Sequence, residues 1–462
     1  MQRNRPGNND PRHSPDGPRR PARPAVTPRG LPARRVAAYA LLDITQERMP
    51  LDEALEKQFG QGDGLLLDDR DRALARAIVT SALRRLGTIH AALDERMPKG
   101  IPPKSGLLAE ILIIGAAQIL LLDVPDRAAV DLAVHHAKAD RKAFPYSKLV
   151  NAVLRRIAES REDILADTSA SEGPRWLTER WRKTYGAEVT QAIADAQRHE
   201  PGIDITVKSD AAGWAKRLDG LLLPIGSIRL NDRAQVATLP GYDEGEWWVQ
   251  DVAASLPALL VKPKAGERIL DMCAAPGGKT AQLASAGAKV TALDRSAERL
   301  KRLSENMSRL KLDVTVVATD ARHFSDKPFD AVLLDAPCSA TGTIRRHPDV
   351  AWTKQPDEIA SLTSLQSSLL DHAAKLVAPG GRLVYSTCSL EPEEGEAQVT
   401  AFLARHSNFT RSPIEAAEVG GLAESINAQG EVRTLPHYLP NETPRLAGLD
   451  GFFVARLVRK DD

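Results

Sequence analysis

Arg268-Ile-Leu-Asp-Met-Cys-Ala-Ala-Pro-Gly-Gly-Lys-Thr280 decides how the rest of the chain is read. Ile269 to Met272 is a short apolar run that ends on a carboxylate, Asp271, and a thiol, Cys273. Pro276, Gly277 and Gly278 force a tight turn, and Thr280 to Ala286 resumes at helical spacing. A strand, a glycine turn and a helix are the parts of a nucleotide cradle in a doubly wound sheet. Glycines let the backbone approach a ligand, and a helix N-terminus presents free N–H groups. The spacing fits neither Gly-x-Gly-x-x-Gly nor the phosphate loop Gly-x-x-x-x-Gly-Lys-Thr.

Outward from that turn, strands and helices alternate. Lys289 to Asp294 reads as a strand ending in acid, Ser296 to Leu310 as an amphipathic helix, and Val314 to Asp320 as a second acid-ended strand. Phe329 to Asp335 is an apolar strand running into Asp-Ala-Pro-Cys, Pro356 to Val377 a long helix, and Gly381 to Cys388 a strand ending Tyr-Ser-Thr-Cys. Phe452 to Val458 adds a closing strand of antiparallel sense. Repeated βα units give a Rossmann-like α/β domain over residues 251–462, with its site at the carboxyl ends of the strands.

Upstream the pattern changes. Apolar residues recur at helical spacing from 32 to 166, outlined by Val36, Ala40 and Ile44; by Leu74, Ile78 and Leu86; and by Val130, Val134 and Ala137. This predicts an all-α bundle. The apolar run Leu107 to Val124 carries Glu110, Gln118 and Asp123, which favours a buried helix over a membrane span. Residues 167–250 predict a small α+β module, with a helix or two from Trp176 to His199 and short strands at Ile203–Val207, Ile228–Leu230 and Trp247–Val249. Its Trp247 and Trp248 suit packing and, as the alternative, base stacking. Residues 1–31, rich in Pro and Arg, predict a disordered basic arm.

Composition narrows the class. At 462 residues the chain has room for about three domains. A formal charge of +1 means a polyanion partner would have to be met by local patches. Three cysteines suit a reducing cytosol rather than a disulfide framework, and no secretory leader opens the chain, so a cytoplasmic location without membrane or metal is expected.

Those three cysteines, Cys273, Cys338 and Cys388, all fall at predicted strand ends, as do Asp271, Asp294, Asp320 and Asp335. Asp294, at the end of the second strand, is placed for a ribose diol, Asp320 for an adenine amino group, and Lys279 with the loop backbone for the amino-acid end of an adenosine cofactor. Two thiols suggest the substrate. Carbon 5 of cytosine is a poor nucleophile until a thiolate adds to carbon 6, and a carboxyl such as Asp335 that hydrogen-bonds N3 lowers that barrier. The chemistry alone leaves open whether Cys338 or Cys388 attacks.

From Val249 to Arg459 the chain resembles the Nol/Nop/Sun family of S-adenosyl-L-methionine-dependent RNA cytosine-C5 methyltransferases. The strings that carry the resemblance are Gln250-Asp-Val-Ala-Ala-Ser255, Asp271 to Thr280, Asp335-Ala-Pro-Cys-Ser339, Arg345-Arg-His-Pro-Asp349, Tyr385-Ser-Thr-Cys-Ser-Leu390 and Asp450-Gly-Phe-Phe453. Lys148-Leu-Val-Asn-Ala-Val-Leu-Arg-Arg156 resembles the end of a NusB-like RNA-binding domain, where Arg84, Arg85, Arg155 and Arg156 are candidate RNA contacts. The resemblance implies that Cys388 attacks carbon 6, that Cys338 assists breakdown of the adduct and that Asp335 acts beside them. It also implies a cofactor held by Cys273, Ala274, Ala275, Pro276, Gly277, Gly278, Lys279, Asp294, Asp320 and Asp335. Ribosomal RNA of the small subunit is the first expected substrate and transfer RNA the second. Ala340 departs from the family's usual Gly, and the basic arm is not a family feature. Two other readings compete: a DNA-type enzyme attacking with Cys338, and a non-catalytic RNA-binding assembly factor.

Overall fold

The computed structural model describes residues 28–232 and 235–461, so the expected basic arm lies outside the described residues except at its very end, where Leu31 already opens a helix. The front of the chain is helical: α1 (Leu31–Glu47), α2 (Leu51–Phe59), α3 (Asp69–Arg84), α4 (Leu86–Arg96), α5 (Leu108–Leu121), α6 (Asp126–Ala139), α7 (Ser147–Glu159) and α8 (Arg161–Ala166). The apolar stripes meet in one core that includes Ile44, Ile78, Ile114, Val130 and Leu154. Apolar on nearly every side, α5 sits inside the bundle as a buried helix. No described helix is long and apolar enough to cross a membrane. Leu74, Ile78 and Leu86 do not share a helix: the chain leaves the α region at Arg85 (φ −119°, ψ 30°), and Leu86 starts α4.

Next comes α9 (Arg175–Gln197), interrupted at Gly186, whose φ of 83° no ordinary helical residue adopts. A four-stranded antiparallel sheet follows, built from β1 (Asp204–Val207), β2 (Gly220–Leu222), β3 (Ile228–Leu230) and β4 (Trp247–Val249) in the order β2-β3-β1-β4, with α10 (Ala211–Arg217) beside it. Trp247 packs in this small core at 0% exposure, and Trp248 is also buried with its indole N–H on Gln250 Oε1 at 2.8 Å. Both tryptophans are packing residues, and Trp247 leaves no face exposed for a base to stack on.

The third part is a larger mixed sheet. Its strands are β5 (Arg268–Met272), β6 (Lys289–Asp294), β7 (Val314–Ala318), β8 (Phe329–Asp335), β9 (Val377–Thr387), β10 (Phe409–Arg411), β11 (Val432–Arg433) and β12 (Phe453–Arg459). The order β10-β12-β9-β8-β5-β6-β7 is parallel from β9 to β7, while β12 runs antiparallel to β9, β10 and β11. Helices α11 (Val252–Leu260), α12 (Gly278–Ser285), α13 (Ala297–Arg309), α14 (Val350–Thr353), α15 (Pro356–Leu376) and α16 (Glu396–Arg405) complete the fold. Side chains alternate across the sheet. Leu270, Met272, Val332 and Leu334 pack under α15, and Ile269, Leu333 and Val384 pack under α11 and α12. A sheet buried on both faces needs the near-continuous apolar strands seen in the sequence. Because β5 neighbours both β6 and β8, the strand order reverses there, and a ligand crevice opens at such a switch point.

Candidate active site

From β5 the chain turns through Cys273, in the left-handed region at φ 63°, and Gly277 at φ 106°, into α12. A side chain at Gly277 would be strained in φ, and its Cβ would lie 2.9 Å from Leu303 Cγ. Asp294 props this loop from behind. Its Oδ2 accepts the Ala275 N–H at 3.3 Å, its Oδ1 accepts the Ser296 N–H at 2.9 Å, and Arg299 pairs with it at 3.3 Å. Asp320 lies beyond the end of β7. Hydrogen bonds from the Arg322 side chain and backbone hold its carboxyl well below the usual range.

Asp335, at the end of β8, stands opposite Ser386 in the β8–β9 ladder and accepts its hydroxyl at 2.8 Å. Its other oxygen takes Lys279 Nζ at 2.7 Å, and that ammonium also lies 5.1 Å from the centre of the Phe452 ring. Burial alone would lower the Lys279 pKa, but Asp335 outweighs it and holds the ammonium charged. Next to this pair the sulfurs of Cys338 and Cys388 are 3.4 Å apart. The Cys388 sulfur and burial both push the Cys338 thiol up. Burial, with Asp335 and Asp294 nearby, pushes Cys273 up to about 12, so it is a neutral thiol and not a nucleophile near pH 7.

The thiols are held in place by a group the sequence did not single out. Glu394, fully buried, accepts the Ser339 N–H at 2.9 Å, Gln366 Nε2 at 3.0 Å, the Ser389 hydroxyl at 2.5 Å and the Ser339 hydroxyl. Ser339 follows Cys338 and Ser389 follows Cys388, so one carboxylate ties both cysteine loops together. Gly342 closes the arrangement: it bonds Cys388 O at 3.0 Å and Gly451 N at 2.8 Å, and any Cβ there would come 1.9 Å from Gly451 O.

A cavity of about 440 Å³ opens beside the loop, lined by residues 273–279, Asp271 and Asp335, and on its far side by Gln250, Met307 and Arg346. The structure therefore brings Cys273 to Lys279 and Asp335 onto one cavity, with the two thiols adjoining the Lys279–Asp335 pair. Asp294 and Asp320 are not among the residues that line it. Of the arginines expected to meet RNA, Arg84 and Arg85 are buried. Arg84 donates to the carbonyls of Gln197 at 3.4 Å, His199 at 3.3 Å and Arg345, and Arg85 pairs with Glu172 at 3.0 Å. Their role is to join parts of the chain, while Arg155 and Arg156 face solvent.

Comparison with known proteins agrees with this architecture. The family model for the 16S rRNA methyltransferase RsmB/F matches residues 258–458, and that of the NusB family matches residues 31–159. The ribosomal RNA small subunit methyltransferase B of Cronobacter sakazakii is 33% identical over 447 residues, covering 92% of this chain and 98% of its own. The crystal structure of PH0851 superposes with a TM-score of 0.68 at 24% identity, covering 92% of this chain and 98% of the other. A methyltransferase homologue from Pyrococcus horikoshii gives 0.51 at 26% identity, over 62% of this chain and 95% of the other.

Proposed function

We infer, for a chain that belongs to the RsmB/F family of 16S rRNA methyltransferases and carries a NusB domain in front, that it methylates carbon 5 of a cytosine in small-subunit ribosomal RNA through a covalent thiol adduct. The observation that carries this reading is the pair of sulfurs 3.4 Å apart beside the Lys279–Asp335 ion pair.

The cofactor is S-adenosylmethionine, and the residues fit it. A cavity of about 440 Å³ falls within the ~300–1,000 Å³ of small-molecule sites. The first turn of α12 offers N–H groups to a carboxylate, and Asp271 lines the same cavity with an oxygen, Oδ1, that has no hydrogen-bond partner. Residues 273–279 would hold the amino-acid end. Asp294 keeps acceptor capacity for a ribose diol beyond the N–H groups it already binds, and Asp320 is the candidate for the adenine amino group. When bound, the cofactor supplies an electrophilic methyl group.

The chain's own residues do the rest. Of the two sulfurs, Cys388 is the one whose Ser-Thr-Cys-Ser motif resembles that of the family's attacking cysteine, and its thiolate adds to carbon 6. Asp335, held by Lys279 and Ser386, is the group we assign to N3: once it has itself taken up a proton it donates to N3, and that proton meets the negative charge developing there as carbon 6 is attacked. After methyl transfer the carbon-5 proton must leave. Cys338, whose sulfur lies 3.4 Å from Cys388, is the acceptor once it has given its own proton to solvent: its thiolate, made strongly basic by the Cys388 sulfur and by burial, takes the carbon-5 proton, the carbon 5–carbon 6 double bond re-forms, and Cys388 leaves as a thiolate.

The test is to incubate small-subunit ribosomal RNA with the enzyme and cofactor, then to sequence it after bisulfite treatment. Wild type should yield 5-methylcytosine. Cys388→Ala should give neither methylation nor a protein–RNA band that survives denaturant, while Cys338→Ala should accumulate such a band already carrying the methyl group. The reverse pattern would assign attack to Cys338 and overturn the mechanism.

A further inference from the structure

The Cys338 and Cys388 sulfurs stand 3.4 Å apart, and nothing but distance separates them from a covalent bond. A disulfide needs about 2.05 Å between its sulfurs, so the gap to close is about 1.4 Å, a movement of side-chain scale shared by two residues. The backbone need not follow. The two loops leave neighbouring parallel strands, β8 and β9, and are already tied together. Glu394 accepts the Ser339 N–H and the Ser389 hydroxyl, and the Gly342 N–H bonds the Cys388 carbonyl at 3.0 Å. Both cysteines are free and only half-buried, so a small solute reaches them. Cys273, the third cysteine of the chain, is free as well. Burial and the charges of Asp335 and Asp294 keep its proton on, and oxidants react with thiolates.

We propose that Cys338 and Cys388 are an oxidation site, which a hydroperoxide closes into a reversible disulfide that switches methylation off. The Cys388 thiolate attacks one peroxide oxygen, the O–O bond breaks and hydroxide leaves, giving a sulfenic acid at Cys388. The Cys338 sulfur then attacks the Cys388 sulfur. The S–S bond forms, the S–O bond breaks, and the departing hydroxide takes the Cys338 proton and leaves as water. Counting the proton that Cys388 gave up to become a thiolate, two thiols have lost two electrons and one hydrogen peroxide has become two waters. A nearby second thiol also stops Cys388 from going on to the sulfinic acid, a change that thiols do not reverse. A dithiol reopens the disulfide by exchange. The bond itself follows from the geometry, while its effect on turnover rests on the thiol mechanism proposed above. Neither cysteine lines the cofactor cavity, so the oxidised enzyme keeps its cofactor affinity.

The full chain, reduced and then freed of reductant, is treated with hydrogen peroxide and afterwards with excess dithiothreitol. Free thiols should fall from three to one, and peptide mass spectrometry should find Cys338 joined to Cys388 with Cys273 still free. Methylation of small-subunit ribosomal RNA should fall in step with the cross-linked fraction and return with dithiothreitol. Affinity for S-adenosylhomocysteine should match that of the reduced enzyme. In Cys338→Ser, which lacks the second thiol, peroxide should carry Cys388 on to the sulfinic acid, and dithiothreitol should no longer recover its thiol. Three free thiols after peroxide, a cross-link to Cys273, or a sulfinic acid at Cys388 of the wild type without a cross-link overturns the proposal. Those readouts need no variant to fold, and they leave the methylation reading standing. A Cys338–Cys388 cross-link that forms while methylation continues overturns the switch and removes the thiol mechanism beneath it.

Discussion

Glu394 fixes the distance between two sulfurs without touching either. Removing its charge by Glu394→Gln replaces an acceptor with a donor on one side, where Gln366, Ser339 and Ser389 all offer donors. A displacement of the cysteine loops by about 1 Å is enough to cost up to about a hundredfold in turnover. We expect kcat to fall by about 10- to 100-fold while affinity for S-adenosylhomocysteine stays within about twofold, because Glu394 does not line the cofactor cavity. Unchanged turnover would show that the thiols find their geometry without it. Nothing in the sequence marks Glu394. It sits in Glu391-Pro-Glu-Glu-Gly-Glu396, which reads as a solvated acidic run, yet Glu391 and Glu394 are buried while Glu393 faces water. The cysteines and Asp335 stand out in the sequence because they collect at the strand ends of one sheet beside a cofactor-type loop. A carboxylate buried by tertiary contacts carries no local signal, and neither does the missing partner of Asp271.

At the scale of single elements, long periodic segments were legible, and of the short ones only some, such as β3 and β4 at Ile228–Leu230 and Trp247–Val249. Helices α1, α5, α6 and α7 announce themselves by spacing, whereas β2, α10, β10 and β11 are too short for a period to show. The boundary at Arg85 was invisible because no Gly or Pro makes it. One consequence of burial within α6 is measurable. His136, 2% exposed and with Nδ1 unpartnered, has its pKa lowered to about 4, by burial first and then by Arg35 of α1, with Asp140 and Asp63 opposing. The folded imidazole is therefore neutral where the unfolded one takes up a proton, near its ordinary value of ~6.5. Its contribution is fully present above that value and is lost as pH falls towards 4, by a total of about 3 kcal/mol. Amide hydrogen exchange in α6 should accelerate more between pH 7 and pH 5 in wild type than in His136→Gln, after correction for intrinsic exchange rates. Identical changes in both proteins would mean that His136 does not govern the acid sensitivity of this helix.

On the scale of the whole molecule, the three parts meet at Arg345-Arg-His-Pro-Asp349. Arg346 pairs with Asp204 of the small sheet at 3.1 Å and with Asp251 and Asp450 of the larger domain. Asp349 Oδ2 accepts the Leu51 N–H of α2 at 3.1 Å, and the Arg345 carbonyl accepts Arg84 of α3. Deleting the helical domain to ask whether it binds RNA would therefore also disturb the neighbourhood of the cavity that Arg346 lines. Single charges separate the two effects. Arg84→Ala removes a buried cation from three carbonyls and should cost stability of about 1.5–3 kcal/mol or more, seen as a lower melting temperature. Since Arg84 cannot reach a phosphate from the interior, the slope of log affinity for ribosomal RNA against log salt should not change. Arg155 and Arg156 are exposed on α7, next to buried Val153, Leu154 and Ile157, and their side chains are free to meet a backbone. Each phosphate contact releases counterions with a slope of about −0.9 on duplex and about −0.7 on single strands. Changing both arginines to Ala should therefore make the salt slope shallower by about 1.4 to 1.8, weaken binding at low salt, and leave melting temperature and S-adenosylhomocysteine affinity as in wild type. A slope that stays the same in that double variant would place the RNA on another face, and the helical domain would then serve to hold the larger domain through Arg84 and Leu51 rather than to recognise the substrate.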